Sequence, residues 1–320
     1  MNPAPSDVEP AERPFPLTDS TVTTLQRLRG LVKSARLWQW TKNLACLAGL
    51  IFSGRLLEGS AIAEAALAVL GFCLASSAIY LLNDLCDRPL DRRNLLKRHR
   101  PIASGLVPTS WALVGALGLL IAALGSSLAL PLTCTSVLIA YIALSVAYSL
   151  RLKHTVLLDV LCIALGFVLR VLYGVYAVQA TPTPWIVLCM FFLALFLGFA
   201  KRRGELNLGD VNNDVQAQRP VLLKYHLNLL DLLLGMTATM AILTYTIYTV
   251  TGHQGNATLV VTVPLVVYGI IRYLLLVVVH GHGGAPDRQL VVDRVNLAIV
   301  ALWVGLCIVI IYFKVHIFEN

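Results

Sequence analysis

The sequence predicts an all-α, polytopic membrane bundle of about nine transmembrane helices. Composition is the first reason, because 58% of the 320 residues are hydrophobic and only 13% are charged. A soluble domain carries roughly 25% charge. The mean hydropathy of +0.76 points the same way. Apolar runs approaching the ~20 residues that cross a bilayer also recur along the whole chain. The chain therefore lacks the polar surface that a water-soluble protein needs.

The predicted helices are the apolar runs between turns that are polar or rich in proline or glycine. Pro131, Pro182 and Gly252 mark three of these turns. The first run is interrupted by Lys42 and Asn43. The predicted helices fall near residues 37–54, 61–84, 110–131, 133–150, 155–178, 183–200, 228–251, 258–280 and 293–313.

The N-terminal segment differs in composition from the rest of the chain. Residues 1–30 are polar and proline-rich, and such a segment buries too little surface to fold, so we expect a disordered tail. Residues Thr21 to Lys33 also have the pattern of a short amphipathic helix lying on the membrane surface. We therefore divide the chain into a tail, residues 1–30, and one transmembrane domain, residues 31–320.

The distribution of positive charge predicts the orientation of the bundle. The net charge is +8, and most of the 25 Lys and Arg residues lie in the N-terminal segment and in alternate connections. Arg55 is the basic residue of the opposite connections. Because positive residues favour the cytoplasmic side of a membrane, we expect the N-terminus and the basic connections to face the cytoplasm.

An acidic motif stands at the predicted cytoplasmic end of the second helix. Asn83, Asp84, Asp87 and Asp91 spell N-D-x-x-D-x-x-x-D. Offsets of four and eight place Asn83, Asp87 and Asp91 on one helical face. Carboxylates at this spacing repel one another unless a cation lies between them, and oxygen-only ligands suit Mg²⁺. We therefore predict a magnesium site with these four residues as ligands.

A basic run containing Lys97, Arg98 and Arg100 follows the acidic motif. Basic side chains beside a carboxylate–metal cluster suit a diphosphate, whose charge has to be neutralised from both sides. The structural alternative is that the acids only pair with neighbouring arginines at a water-exposed helix end.

The acidic motif and the segment K-R-H-R-P-I-A-S-G, Lys97 to Gly105, resemble the first aspartate-rich motif of the UbiA superfamily. This resemblance implies an intramembrane prenyltransferase fold. Members of the superfamily ionise an isoprenyl diphosphate with Mg²⁺ held between two aspartate-rich motifs.

Where the second motif is expected, after the sixth helix, the chain has K-R-R-G-E-L instead, Lys201 to Leu206. This element is similar to the branch typified by decaprenyl-phosphate phosphoribosyltransferase. The resemblance extends over residues 31 to 305 and includes the segments R-L-W-Q-W-T-K-N (Arg36 to Asn43), Y-S-L-R-L-K-H (Tyr148 to His154), F-V-L-R (Phe167 to Arg170) and Y-G-I-I-R-Y (Tyr268 to Tyr273).

The resemblance implies an enzyme of the bacterial cytoplasmic membrane, with its site facing the cytoplasm. It would move 5-phosphoribose from phosphoribosyl pyrophosphate to a polyprenyl phosphate in cell-wall lipid biosynthesis, releasing pyrophosphate. The catalytic residues implied are Asp84, Asp87, Asp91, Lys201 and Glu205. The substrate-binding residues implied are Lys42, Lys97, Arg98, Arg100, Tyr148, Lys153, Arg170 and Arg202.

Arg170 stands in the middle of an apolar helix. A lipid-facing arginine costs at least ~2.5 kcal/mol, so we expect this side chain to face the bundle interior and to meet an anion. The structural alternative is an ion pair with Asp159 or Glu205.

Other functions remain open at the level of the sequence. Asp210 and Asp214 spell D-x-x-x-D just beyond K-R-R-G-E-L; as a second metal site they would indicate a prenyltransferase that joins an isoprenyl diphosphate to an aromatic or polar acceptor. We expect a solvated loop there, and another at His280 and His282. A transporter is disfavoured because the polar residues collect at one membrane face. The basic charge belongs to that face, so we expect no nucleic-acid partner.

Overall fold

The computed structural model describes residues 22–94, 97–211, 221–251, 257–279, 293–315 and 317. Within these ranges the regular secondary structure is helical throughout, which confirms the all-α prediction. Eight of the described helical segments are long and apolar enough to cross a membrane. The chain is therefore an integral membrane protein.

The α-helices of the described residues, in chain order, are α1 (Thr24–Ser34), α2 (Leu47–Phe52), α3 (Gly59–Cys86), α4 (Arg88–Arg93), α5 (Pro101–Ser104), α6 (Thr109–Ser127), α7 (Leu132–Leu150), α8 (Leu158–Ala177), α9 (Pro184–Val211), α10 (Leu227–Thr251), α11 (Val263–Val278) and α12 (Arg294–Tyr312). Short 3₁₀ helices span Leu37–Cys46, Leu152–His154, Leu222–Lys224 and Ala257–Thr262.

The first predicted membrane helix, residues 37–54, does not form one α-helix. It folds as the 3₁₀ segment Leu37–Cys46 followed by the six-residue helix α2, and it is not among the eight candidate spans. The polar residues at its centre explain the difference. Asn43 is fully buried and its amide donates to Ser76 Oγ on α3 at 3.0 Å, so side-chain contacts with a neighbouring helix replace a regular apolar helix.

The sixth predicted helix is longer in the structure than in the sequence analysis. It was expected near 183–200, but α9 continues to Val211 and carries the whole K-R-R-G-E-L element. The expected loop around Asp210 is thus partly helical, although the side chain of Asp210 lies outside the described set. Asp214 lies outside the described residues, as do His280 and His282.

The amphipathic helix expected at the N-terminus is α1. A reciprocal cap starts it, in which Gln26 N donates to Thr23 Oγ1 and Thr23 N donates to Gln26 Oε1. Gly30 packs against α5 and Val107, whereas Leu25 and Leu28 are exposed. Because α1 begins at Thr24, the end of the predicted tail is helical. Residues 1–21 lie outside the described residues, so the division into tail and membrane domain stays a prediction.

Helices α3 and α8 form the centre of the bundle. Most of their apolar residues are buried, whereas α6 and α7 bury few of theirs. Helix α3 packs on α6. Helix α8 packs on α7, on α9 and on the first segment, that is, the 3₁₀ helix Leu37–Cys46 together with α2. This arrangement brings the C-terminal end of α3, which carries the acidic motif, beside the start of the first segment and the end of α7.

Two glycines allow the first segment to approach α8 very closely. A Cβ on Gly174 would lie 1.8 Å from the carbonyl oxygen of Cys46, and a Cβ on Gly49 would lie 2.6 Å from the backbone of Gly174. Small residues of this kind permit backbone-to-backbone packing in membrane bundles. The position of the first segment therefore depends on Gly174.

We expect Gly174→Ala to lower the free energy of unfolding by about 1–3 kcal/mol, because the added methyl group overlaps a backbone rather than a flexible side chain. Thermal unfolding of purified protein in detergent measures the change. Gly118→Ala on α6 is the matched control, since nothing lies within 4 Å of the Cβ it would add. Equal melting temperatures for the two variants would contradict the close approach.

Candidate active site at the charged end of the bundle

A cavity of about 240 Å³ lies where α3, α4 and α7 end, beside the start of the first segment. Eight of the residues implied by the sequence line it, namely Asn83, Asp84, Asp87, Asp91, Lys97, Arg100, Tyr148 and Lys153. Those not in its lining are Lys42, Arg98, Arg170, Lys201, Arg202 and Glu205. The cavity thus unites the acidic motif with basic residues that are distant in the sequence.

The acidic motif spans a break between two helices. Helix α3 ends at Cys86, and α4 begins at Arg88 with Pro89 as its second residue. Proline has no N–H, so a regular helix cannot continue through this position. Asp87 at the break still has helical dihedral angles, and its carbonyl accepts from Asp91 N at 2.8 Å. The chain therefore carries Asp84, Asp87 and Asp91 past one cavity, in whose lining all three lie.

Two arginines neutralise the buried pair Asp84 and Asp91. Arg36 donates to Asp84 Oδ1 at 2.5 Å. The guanidinium of Arg100 lies between both carboxylates, 3.3 Å from Asp84 Oδ1 and 2.7 Å from Asp91 Oδ2. Each carboxylate is almost completely buried, so these contacts compensate charges that water does not reach. The sequence analysis grouped Asp91 with Asn83 and Asp87, but in the structure Arg100 joins it to Asp84.

Asp87 and Asn83 have separate partners from the end of α7 and the turn that follows it. Lys153 Nζ donates to Asp87 Oδ1 at 2.6 Å, and the Ser149 hydroxyl donates to the side-chain oxygen of Asn83. Both bonds join positions 66 residues apart. Lys153 thus lies at the candidate site with a carboxylate as its partner, and its expected role in substrate binding stays a prediction.

Arg36 is a site residue that the sequence analysis did not identify. Its backbone has φ 54° and ψ 52°, a left-handed conformation that costs a non-glycine residue about 1–2 kcal/mol. The guanidinium lies 5.0 Å above the ring of Tyr80, which also lines the cavity. The available signal was its position at the head of the R-L-W-Q-W-T-K-N segment, but nothing in the spacing connects it with Asp84.

Lys42 lies beside the cavity rather than in its lining. Its ammonium donates to Gln39 Oε1 at 2.6 Å, and the hydroxyl of Tyr80 donates to the same oxygen at 3.2 Å. Arg98 also points elsewhere, toward His99 Nε2 at 3.4 Å. Of the basic run, Lys97 and Arg100 therefore reach the cavity.

Arg202 belongs to a buried structural network and not to the cavity, so the expected role in substrate binding is not supported by its geometry. Its guanidinium is 2.6 Å from Asp159 Oδ2 and 2.6 Å from Glu205 Oε2. Tyr225 donates to Asp159 Oδ1 at 2.8 Å and accepts from Leu157 N at 2.8 Å. Burial raises the pKa of Tyr225, and the Asp159 carboxylate adds to the rise, so the hydroxyl remains a donor at neutral pH.

Glu205 was expected to be a catalytic residue, together with Lys201. In the structure its carboxylate accepts from Arg202, which lies one turn earlier in α9. Lys201 is half-buried on the same helix. The roles assigned to these two residues stay predictions, and the K-R-R-G-E-L element serves at least partly to tie α9 to α8.

Arg170 faces the bundle interior as expected, but its described partners are neutral. It donates to Asn43 Oδ1 at 2.9 Å, to the carbonyl of Gly166 at 2.8 Å and to the hydroxyl of Tyr141 at 3.1 Å. The ring of Phe72 lies 5.3 Å from the guanidinium carbon. The expected anion is thus replaced by carbonyl and hydroxyl oxygens and by aromatic faces, which also stabilise a cation. Arg170 holds the first segment against α8.

The cavity has the donor chemistry for Mg²⁺ but not a closed metal cage. Three carboxylates and one amide line a single cavity, and such oxygen ligands suit this ion. Among the described residues, however, no three His, Cys, Asp or Glu side chains converge on one point. The carboxylates instead bind protein cations, Asp84 and Asp91 through Arg36 and Arg100 and Asp87 through Lys153.

We expect Arg202→Gln to lower the free energy of unfolding by about 3–5 kcal/mol, because it leaves the fully buried Asp159 without its counter-ion. Lys153→Gln is the comparison, since its pair with Asp87 is partly exposed and contributes little to stability. Thermal unfolding in detergent measures both variants. A Lys153 variant as unstable as the Arg202 variant would contradict this division of roles.

The comparisons with known proteins agree with this geometry. Residues 44–297 match the UbiA prenyltransferase family. The chain is 32% identical to the decaprenyl-phosphate phosphoribosyltransferase of Mycolicibacterium smegmatis over 301 residues, 89% of this chain and 93% of that protein. It is 30% identical to the protein of the same name from Corynebacterium glutamicum, over 88% of this chain and 87% of the relative.

A solved UbiA homologue from Archaeoglobus fulgidus, bound to GPP and Mg²⁺, has the same fold, with a TM-score of 0.65 at 18% identity. The superposition covers 91% of this chain and 98% of the homologue. The match to the family covers most of the membrane bundle and includes the acidic motif at its charged end. The chain therefore belongs to the UbiA prenyltransferase family.

Proposed function

We propose that the protein is a membrane phosphoribosyltransferase. It moves 5-phosphoribose from phosphoribosyl pyrophosphate to a polyprenyl phosphate and releases pyrophosphate. The observation that carries the proposal is the lining of the cavity, in which Asp84, Asp87 and Asp91 stand together with Lys97, Arg100 and Lys153. One cavity thus offers oxygen ligands for a metal and cations for phosphate groups. The names of the relatives support the choice of donor.

The reaction suits residues of this kind. An oxygen of the lipid phosphate attacks the anomeric carbon of the ribose, and the bond between that carbon and the pyrophosphate oxygen breaks. The acceptor is already an anionic nucleophile, so no strong general base is needed. What the reaction needs is stabilisation of the charge that develops on the leaving group, and preorganised cations supply it. Arg100, Lys97 and Lys153 are the candidates within reach of the cavity.

Asn83, Asp84, Asp87 and Asp91 would hold Mg²⁺, which supplies positive charge to the leaving pyrophosphate. The half-buried Lys201 and the nearby Lys42 are candidates for the 5-phosphate of the donor or the phosphate of the lipid. From the distribution of positive charge we infer that the site faces the cytoplasm, and the bacterial relatives support the cytoplasmic membrane of a bacterium as its location.

The second candidate is a prenyltransferase that joins an isoprenyl diphosphate to an aromatic or polar acceptor. It is favoured by the solved homologues from Archaeoglobus fulgidus, which are bound to GPP or DMAPP with Mg²⁺. Both candidates use the acidic motif in the same way, so the donor decides between them. A transporter is disfavoured, because the charged residues of the cavity lie at one end of the bundle.

The first test supplies purified protein in detergent with Mg²⁺, polyprenyl phosphate and labelled phosphoribosyl pyrophosphate. We expect labelled lipid to form, and we expect removal of the metal by a chelator to stop its formation. Asp87→Asn should lower the rate by about a hundredfold or more, because the leaving group loses preorganised charge. Glu58→Gln, an exposed residue paired with Arg55 away from the cavity, is the matched control.

The result against the proposal would be transfer from an isoprenyl diphosphate to an acceptor, with no transfer of ribose to lipids of several lengths. That outcome would make the protein a prenyltransferase.

A second test compares Lys201 of the K-R-R-G-E-L element with Asp210 and Asp214, which follow that element in the sequence. If the donor is phosphoribosyl pyrophosphate, Lys201→Ala should lower activity by about tenfold or more, whereas Asp210→Asn and Asp214→Asn should leave it near the unmodified level. The opposite order of effects would favour the prenyltransferase. The rate of product formation at saturating and at low donor concentration is the measurement.

A further inference from the structure

The pairing of charges in the cavity has a consequence for binding order. Arg36 and Arg100 both contact Oδ1 of Asp84, and Arg100 also contacts Oδ2 of Asp91. Lys153 occupies an oxygen of Asp87 in the same way. Each of the three carboxylates of the acidic motif is thus already engaged by a protein cation. A divalent cation that binds these oxygens displaces the side chains that hold them.

The balance of charge makes this displacement unfavourable without an anion. Four basic side chains and three carboxylates line the cavity, a surplus of one positive charge when His154 is neutral. A divalent cation that entered alone would raise the surplus and would repel the arginines it displaced. Asp84 and Asp91 are almost completely buried, and charges in such surroundings interact strongly because water screens them weakly. A diphosphate entering with the cation would restore the balance.

The displaced arginines would remain beside the cavity. Arg36 and Arg100 are partly exposed, 22% and 31%, whereas the carboxylate they share is only 4% exposed. Both line the cavity, so rotation of either side chain moves its guanidinium into the cavity and not into the protein. Tyr80, under Arg36, offers a ring face along which the planar group remains stacked. A guanidinium binds two phosphate oxygens as well as it binds a carboxylate.

We propose that Arg36 and Arg100 are exchange counter-ions: they neutralise Asp84 and Asp91 while the site is empty and bind phosphate oxygens of the diphosphate once a divalent cation takes the carboxylates. Metal and diphosphate binding are then mutually dependent, because each removes a charge imbalance that the other creates. This inference rests on the proposed function to the extent that both require a diphosphate-bearing ligand.

Calorimetric titrations of the purified full chain in detergent test the exchange, with Mg²⁺ alone and with inorganic pyrophosphate at fixed Mg²⁺ as the probes. The variant is Arg36→Gln, which removes the competing cation and the phosphate ligand together. We expect Mg²⁺ alone to bind this variant about fivefold or more tightly than the unmodified protein, and pyrophosphate to bind it about fivefold or more weakly. Effects of opposite sign are the signature of the exchange.

Two further variants serve as controls. Lys33→Gln removes a positive charge from the exposed side of α1, three residues away in sequence and outside the cavity, and should change neither affinity. Arg36→Lys retains the charge and should shift both affinities less than Arg36→Gln. If Arg36→Gln does not fold, as judged by thermal unfolding without ligands, Arg100→Gln should give the same pair of opposite shifts.

An unchanged or weakened affinity for Mg²⁺ alone in both glutamine variants would overturn the proposal, and so would equal loss of both affinities. Because pyrophosphate is the product of ribosyl transfer and of prenyl transfer alike, the titrations do not depend on which donor the enzyme uses. If the donor assay fails but the affinities for Mg²⁺ and for pyrophosphate still shift in opposite directions, only the proposed substrate is rejected. Normal ribosyl transfer without these shifts would reject only the exchange.

Discussion

Compensation of charge in an apolar bundle is the constraint on which the rest of the structure depends. An ion inside a membrane-spanning protein has to be paired or solvated by polar groups, because the surrounding lipid offers neither. The chain meets this requirement in three ways. Arg202 and Asp159 form a direct ion pair, Arg170 binds neutral oxygens and aromatic rings, and the acidic motif shares Arg36, Arg100 and Lys153.

These three solutions also divide the molecule into a rigid part and a responsive part. The pair of Arg202 and Asp159 is excluded from solvent and joins α9 to α8 permanently, since separating its members would leave buried charge. The pair of Lys153 and Asp87 is partly exposed, so its members exchange partners at lower free-energy cost. A charged ligand therefore changes the ion pairs of the cavity and leaves the buried pair of Arg202 and Asp159 intact.

The fold and part of the site follow from sequence patterns that are local. Apolar runs predict the eight candidate spans of the described residues, and the spacing of acidic residues predicts the motif at Asp84, Asp87 and Asp91. The partner of each acid cannot be predicted in this way. Arg36 lies 48 residues from Asp84, and Lys153 lies 66 residues from Asp87. Spacing along a helix says nothing about contacts between segments that far apart.

The basic residues of α9 show the same limit at closer range. Lys201 and Arg202 are neighbours in one motif, and both were expected at the site, Lys201 as a catalytic residue and Arg202 as a substrate-binding residue. Successive residues of a helix point about 100° apart, so Arg202 enters the interface with α8, while Lys201 remains half-buried beside it. The first segment was misjudged for a related reason, because the bonds of Asn43 to α3 and α8 override its apolar run.

The left-handed backbone at Arg36 has an implication for how this site is maintained. Glycine adopts that conformation without steric penalty, so a glycine there would make the turn into the first segment easier to form. It would also remove one of the two described cations that contact Asp84 and leave Arg100 as the other. The left-handed turn therefore costs about 1–2 kcal/mol of backbone strain, and in return it places a cation against the buried carboxylate of Asp84.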